Sequence, residues 1–399
     1  MLKKISSILI IVIFCAIIFS GYLHEQDIDD LAYVIAIGID VGSNNNLEVT
    51  FQISIPSENG STISSSSSSS SEKETSDTLN KSVECNTINS GLDLANNIIS
   101  KRLDLSHCKF IVFSQEIASY GIYEYIYTLE NDLELRSNCN IIVSTSDAKE
   151  FLDSSNPILE NSTAKYYEII TTASKYTGYT SNVTLNSVFT SISDSFGEIC
   201  TILGHINKEE NRESEIVLSG LAVFKGDKMV GTIPVDETIP YLIVTNQLNE
   251  STISCYSPFS EDKIMDFHVS VFSKTKHKVS FNKNVPHITT NIYLDATLLS
   301  NSDDFNASSP KDISKVEEAL SNYIKDEVNS YYEKTSKEFK SDISGLGKYA
   351  VYYFPTIEDW KEFDWLNKYE QSTFEVNVDV NLNSSYFISH DTNYYLSRF

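Results

Sequence analysis

Signatures of catalysis and of tight metal binding are missing from this 399-residue chain. It holds no HExxH, no GxSxG, no GxGxxG and no P-loop. No two of its seven histidines stand three or four residues apart, the spacing that puts two imidazoles on one helical face. Positive charge is scarce, with 30 Lys and Arg against 55 Asp and Glu and a net charge of −25. A phosphate backbone has to be met by clustered cations, so nucleic acid is excluded as a partner. The same acidity is repelled by anionic lipid head groups, so any membrane attachment needs an apolar device. Cysteine is sparse too. After Cys15 come Cys85, Cys108, Cys139, Cys200 and Cys255, an odd number at wide spacings without a CxxC. That pattern argues against a disulfide framework or a zinc site and for small buried hydrophobes.

The apolar device stands at the start. Lys3 and Lys4 precede an apolar run over residues 5–22, which as a helix is roughly 27 Å long at ~1.5 Å per residue. This nearly matches a ~30 Å hydrocarbon core, and the two lysines predict that the rest of the chain is exported. Tyr22 occupies the position after Ser20-Gly21 where a lipid-bearing Cys would stand, and the bulky Phe14 before Cys15 makes a poor lipidation signal. Phe19 spoils the site for ordinary signal peptidase. The expectation is an uncleaved anchor without lipid.

Beyond the anchor, residues 31–40 and 47–56 read as a β-hairpin around Gly42-Ser43-Asn44-Asn45-Asn46. Residues 57–76 contain eight consecutive serines with nothing to bury, which predicts a disordered surface loop. Residues 88–103 and 117–129 read as helices, 109–113 and 140–143 as buried strands, and 147–152 as a short helix. Residues 154–206 read as polar connecting structure, helical around 166–172. A second hairpin pairs 220–224 with 228–232 across Gly226-Asp227. A short helix is expected over 235–246.

The last third has the cleanest periodicity. Residues 268–281 alternate, with Val269, Val271, Val279 and Phe281 on one face and Lys274, Lys276 and Lys278 on the other. Residues 287–296 repeat the pattern. Ser309 as N-cap, Pro310 at the first helical position and Asp312 then open a long amphipathic helix through Val316, Leu320, Ile324, Val328 and Tyr331 toward Phe339. Gly345 and Gly347 are expected to stop it, and 374–382 to add a closing strand. The reading is a mixed α+β fold: an N-terminal membrane-anchor helix, then two or three mixed α/β domains, the last with antiparallel strands and one long amphipathic helix. The divisions are 1–22, 23–205 and 206–399, with a further split near 265 left open.

Candidate sites are few. His268, His277 and His287 lie on predicted strands, where structural roles are the ordinary outcome. Ser273-Lys274-Thr275-Lys276 fits an SxxK string but lies in a strand instead of opening a helix. Asp29-Asp30 and Asp303-Asp304 read as solvated acids, since catalytic pairs need set separations across a cleft. No catalytic, cofactor or metal residue is assigned. Lys274, Lys276 and Lys278 form a basic stripe that is either a solvated face or a contact for an acidic partner or lipid head groups. Trp360 and Trp365 read first as packing and second as an interface. The remaining candidate is a protein contact at Gly345, Gly347, Lys348 and Lys361.

Four stretches carry a resemblance. The first runs from Glu25-Gln26-Asp27-Ile28-Asp29-Asp30-Leu31-Ala32 through Ala36-Ile37-Gly38-Ile39-Asp40 to Gln52. The second is Ser106-His107-Cys108-Lys109 with Ala118, Gly121 and Arg136. The third is Gly220-Leu221-Ala222-Val223-Phe224-Lys225 with Lys228, Val230, Gly231 and Glu237-Thr238. The fourth is Ser341-Asp342-Ile343-Ser344-Gly345-Leu346-Gly347 followed by Trp360 and Trp365. In this order they resemble the Ger(x)C spore-germination family, although Tyr22, Leu23 and His24 stand where that family has a lipidated Cys, Trp and Asp.

The resemblance implies a non-catalytic extracytoplasmic subunit of a nutrient germinant receptor without cofactor. Its implied partners are the two integral-membrane subunits, and its implied place is the inner spore membrane with the body on the extracytoplasmic face. Two alternatives stand beside it. A membrane-tethered solute-binding protein of a transporter would show two similar lobes around a cleft. A cell-wall hydrolase would show a positioned acid or nucleophile.

Overall fold

The computed structural model describes residues 30–43, 46–55, 77–157, 159–208, 214–301, 305 and 309–383. The anchor over 1–22 with Tyr22, the serine tract over 57–76, Asp29 and Asp303-Asp304 lie outside the described residues. Among those described, no helix is long and apolar enough to cross a membrane.

Strands β1 (Leu31–Val41) and β2 (Leu47–Ser54) form the expected antiparallel hairpin, and β3 (Thr78–Cys85) extends it. β1 is central and buried on both faces, which its unbroken apolar run requires. A Cβ on its Gly38 would sit 3.1 Å from the Leu152 side chain and 3.3 Å from that of Ala148, so glycine lets a helix lie close against the strand. Asp40, two residues on, accepts the Ala148 N–H at 2.7 Å and the Lys149 N–H at 2.9 Å and caps that same helix. Gln52 on β2 donates to the Leu152 carbonyl at 3.1 Å and accepts from the Tyr167 hydroxyl at 2.6 Å.

Helix α1 (Ile88–Ile98) is shorter than expected. Asn96 Oδ1 accepts the Leu103 N–H at 2.9 Å, Ile99 is extended, and β4 (Arg102–Asp104) pairs parallel with the start of β1. β5 (Phe110–Ser114) follows. The single helix expected over 117–129 is two, α2 (Gln115–Tyr120) and α3 (Tyr123–Glu130), broken at Gly121 with φ +131°. Then come β6 (Asn140–Ser144) and α4 (Ala148–Asp153).

The segment read as connecting structure with a helix around 166–172 holds three helices and a strand. These are α5 (Thr163–Thr172), α6 (Ser174–Thr177), α7 (Leu185–Ser193) and β7 (Cys200–Asn207). The N-cap of α7 is a Thr184–Ser187 box, which lacks the acidic third residue that marks such boxes in sequence. β7 escapes periodicity because Thr201, Gly204 and His205 interrupt its apolar residues, yet it pairs parallel with β6. The hairpin of β8 (Glu215–Lys225) and β9 (Lys228–Ile233) completes a nine-stranded sheet in the order β3-β2-β1-β5-β6-β7-β8-β9, with β4 beside β1. Residues 205 and 206 therefore lie within β7, and the first sheet runs on to Ile233.

Helix α8 (Thr238–Val244) leads to the second sheet, ordered β10-β11-β12-β13, built from β10 (Glu250–Ser257), β11 (Ser260–Asn282), β12 (Val285–Asn301) and β13 (Thr373–Leu382). Residue 265 lies inside β11. The expected antiparallel strands are β10, β11 and β12, whereas the closing strand β13 pairs parallel with β12. The cause is α9 (Pro310–Glu333), which returns the chain to the same end of the sheet, and a crossover of that kind imposes parallel pairing. α9 starts as expected, with Ser309 accepting from Asp312 N, and buries Val316, Leu320, Ile324, Val328 and Tyr331.

Gly345 and Gly347 do not stop this helix. It loosens into a π turn over Lys334–Glu338 and ends at Lys340, whose φ is +52°. Short helices α10 (Gly347–Ala350), α11 (Ile357–Phe363) and α12 (Trp365–Lys368) fill the way to β13. The two sheets have separate cores. The β8–β9 hairpin serves both, with Ala222 and Phe224 in the first and Leu221, Val223 and Ile233 in the second.

Candidate functional site

The fourth stretch, Ser341 to Gly347, ties α9 and the tryptophan segment to the first sheet. Ser341 Oγ donates to the Phe224 carbonyl of β8 at 2.5 Å. The Asp342 carbonyl accepts the N–H of Glu198 at 2.9 Å, just before β7. Its carboxylate accepts three N–H groups, from Leu346 at 3.1 Å, Gly347 at 3.0 Å and the Trp365 indole at 2.8 Å. Asp342 is fully buried, and burial pushes its carboxyl up to about 6 against the pull of those donors. Burial also raises Glu198, whose carboxylate accepts the Gly226 N–H at 2.8 Å.

Both glycines of the loop are buried and face the molecule's own chain. Gly345 has φ +65°, and the Lys348 side chain lies over it. A Cβ on Gly347 would fall 2.5 Å from the Phe196 carbonyl oxygen and 2.9 Å from the Trp365 ring. Trp360 donates to Ser195 Oγ at 2.8 Å and lies 5.9 Å from Trp365, with Phe196 5.8 Å away. The tryptophans therefore pack and seal this junction. Lys348 and Lys361 are exposed on its outside.

Along the chain, the description "Spore germination protein N-terminal domain" matches residues 24–208, and "Spore germination B3/GerAC like, C-terminal" matches residues 219–386. The chain belongs to the Ger(x)C family of spore germination proteins. Spore germination protein GerQC of Bacillus cereus is 22% identical over 283 residues, covering 71% of this chain and 76% of its own. Spore germination protein KC of Bacillus subtilis (strain 168) is 20% identical over 368 residues, covering 88% of each. The crystal structure of the GerBC protein shares the fold with a TM-score of 0.53 at 12% identity, covering 87% of this chain and 96% of that one. As a Ger(x)C protein the chain has a role in spore germination and is a non-catalytic receptor subunit, not an enzyme.

The remaining candidates of this Ger(x)C chain take separate places. His268 lies 3.5 Å from Glu250, and His287 bonds Thr373 at 2.9 Å with Glu375 3.6 Å away. His277 points inward, with Nε2 on the Val244 carbonyl at 2.9 Å and Nδ1 on Thr290 at 3.1 Å. Because a carbonyl only accepts, Nε2 carries the proton, and burial holds the ring's pKa below the usual imidazole range. Among the described residues, no three His, Cys, Asp or Glu side chains come together as a metal site. The SxxK string lies inside β11, and Lys274, Lys276 and Lys278 are exposed on its outer face. Asp30 stands exposed just before β1.

The five described cysteines are buried and unpaired. Burial pushes the Cys200 thiol up to about 12 and the Cys255 thiol up to about 11, which makes them poor nucleophiles. Asp342 and Glu198 were missed as organising residues. The one local signal for Asp342 is an acid inside a Ser-Asp-Ile-Ser-Gly-Leu-Gly string, and Glu198 has none.

Proposed function

We propose that this chain is the extracytoplasmic subunit of a nutrient germinant receptor that assembles with the receptor's two integral-membrane subunits. The observation that carries the reading is the pair of family matches, in order, over 24–208 and 219–386. In this reading the chain has two domains that meet at the β8–β9 hairpin, and an unlipidated N-terminal segment holds it at the inner spore membrane with its body on the extracytoplasmic face. The partner contact lies on the outside of the junction, at Lys348 and Lys361, with Gly345 and Gly347 shaping the loop beneath. Tyr352 and Tyr353 stand between the two lysines in the chain and are 86% and 53% exposed, and exposed tyrosine is the side chain protein interfaces favour.

A transporter's solute-binding protein would bring two similar lobes. Here one sheet has nine strands and the other four, which favours the receptor reading.

Affinity purification of the tagged chain from detergent-extracted spore membranes tests it. The expected result is co-elution of two polytopic membrane proteins in fixed ratio. Elution alone, or with the subunits of a transporter, overturns the reading. The intact mass of the same material tests the anchor: Lys3 and Lys4 are retained, and a mass starting at Tyr22 or a lipid adduct on Cys15 contradicts it.

A further inference from the structure

Two of the buried cysteines meet. Cys108 and Cys139 stand at matching places, each closing a tight turn into its strand. The Cys108 N–H donates to the Leu105 carbonyl at 3.1 Å, and the Cys139 N–H to the Arg136 carbonyl at 3.2 Å. β5 and β6 then start side by side, with Phe110 paired to Asn140 and the Asn140 N–H on the Lys109 carbonyl at 2.7 Å. That register makes Cys108 and Cys139 diagonal neighbours at the entries of two parallel strands. A strand spacing of ~4.8 Å and a rise of ~3.3 Å per residue put their α-carbons about 6 Å apart, within the ~4.4–6.8 Å that a disulfide spans.

The side chains turn toward each other. The Cys139 thiol reaches the Cys108 carbonyl oxygen at 3.1 Å, and the two thiols are in hydrogen-bonding contact. Each also has a backbone acceptor, the Arg136 carbonyl for Cys139 at 2.8 Å and the Phe110 carbonyl for Cys108 at 3.3 Å. A thiol is a weak donor, so little is lost when these contacts are given up. Cys108 is 3% exposed and Cys139 1%. The other described cysteines stand elsewhere: Cys85 lies against Gly91, Cys200 bonds Tyr241, and Cys255 is on β10. Distance along the chain hides the pair, since 31 positions separate its members.

We propose that Cys108 and Cys139 form a disulfide bond, made by exchange with a small-molecule disulfide. The thiolate of one cysteine attacks a sulfur of the reagent and expels the first thiolate. The other cysteine, deprotonated in turn, attacks the protein sulfur of this mixed disulfide and expels the second. The chain gives up two protons and two electrons, and the reagent is reduced to two thiols. Burial blocks the exchange once the sheet has closed, so it takes place while the entries of β5 and β6 are open. In the folded chain the finished bond is shielded from reductants. It ties two central strands of the first sheet and closes a loop around α2 and α3, which constrains the unfolded chain. The extracytoplasmic position proposed above is the kind of environment in which such bonds persist.

Thiol trapping and peptide mapping of the full purified chain test this. The reduced chain is incubated with glutathione and glutathione disulfide in urea just below its unfolding midpoint, where local opening admits the reagent. N-ethylmaleimide in full denaturant then counts the free thiols. The expected result is the loss of two alkylatable thiols per chain without bound glutathione, and a linked peptide pair holding Cys108 and Cys139. The oxidised chain is expected to melt about 5 °C or more above the reduced one. Cys108→Ser and Cys139→Ser are each expected to abolish the link, and Cys200→Ser to keep it.

Retention of both thiols, glutathione held separately on each, linkage of either to another cysteine, or an oxidised chain that melts no higher than the reduced one overturns the proposal. Mapping on the wild-type chain keeps the test independent of how any variant folds. No membrane subunit takes part in it, so the disulfide and the receptor assembly stand or fall separately.

Discussion

The carboxylate of Asp342 accepts the indole N–H of Trp365 at 2.8 Å in a fully buried site, and the same carboxylate accepts the backbone N–H groups of Leu346 and Gly347. One side chain thereby fixes the loop after α9 and the ring that closes the second core. The backbone of Asp342 meanwhile holds Glu198 at the entry of β7. Loop, core and inter-sheet junction share a single anchor.

Asp342→Ala leaves three buried donors without an acceptor. Each unsatisfied buried group costs roughly 1–3 kcal/mol, so the expected loss is about 3–5 kcal/mol with partial relaxation. Urea unfolding measures it, and a change under about 1 kcal/mol contradicts the anchor.

The pH dependence of the same site has a definite sign. The folded Asp342 carboxyl titrates at about 6, above its ordinary value of 3.8, so between these values the native state holds a proton that the unfolded state has lost. Its contribution is fully present below about pH 4 and declines as pH rises to about 6, by an order of ~3 kcal/mol. Relative to Asp342→Asn, the wild-type chain therefore loses part of its stability advantage between pH 4 and pH 6.5. Unfolding of both proteins across that range measures the difference, and a gap that widens with pH contradicts it.

Gly121→Ala meets two penalties. The φ of +131° is closed to alanine, and a Cβ there would lie 2.5 Å from an Asp227 carboxylate oxygen. Gly226, in the facing hairpin turn, has φ +62° but open space where a Cβ would go. Gly121→Ala is expected to cost about 2–4 kcal/mol and Gly226→Ala about 1 kcal/mol. Denaturant midpoints of the two variants test the order.

Lys348→Glu and Lys361→Glu alter exposed side chains and are expected to leave the thermal midpoint within a degree or two. On the receptor reading at least one of them blocks nutrient germination of spores carrying it. Wild-type germination rates in both variants count against a partner contact at this surface.

Local periodicity explains why much of the fold was legible. Alternation over 268–281 and 287–296 marks β11 and β12 because one face meets the core and the other water. The cap residues Ser309, Pro310 and Asp312 and the apolar steps after them specify α9 without outside help. Gly226-Asp227 likewise specifies the β8–β9 turn. The candidate site was legible only as a string around Gly345 and Gly347. What those glycines face is set by Phe196, Gly197 and Trp365, which nothing local ties to them.

The sequence by itself determined the elements whose patterns repeat over one or two turns or strand periods, and the ordered motifs that carry the family. Tertiary structure decided the rest. It made β13 parallel because α9 crosses over, drew β7 into the first sheet despite its polar breaks, and split a helix where Gly121 meets Asp227. It also chose the partners at the junction: Ser341 bonds Phe224 across 117 residues, and Trp360 bonds Ser195 across 165. Such contacts depend on where the chain returns after both cores have closed, so burial and hydrogen-bond satisfaction across the whole fold select them, not neighbouring residues.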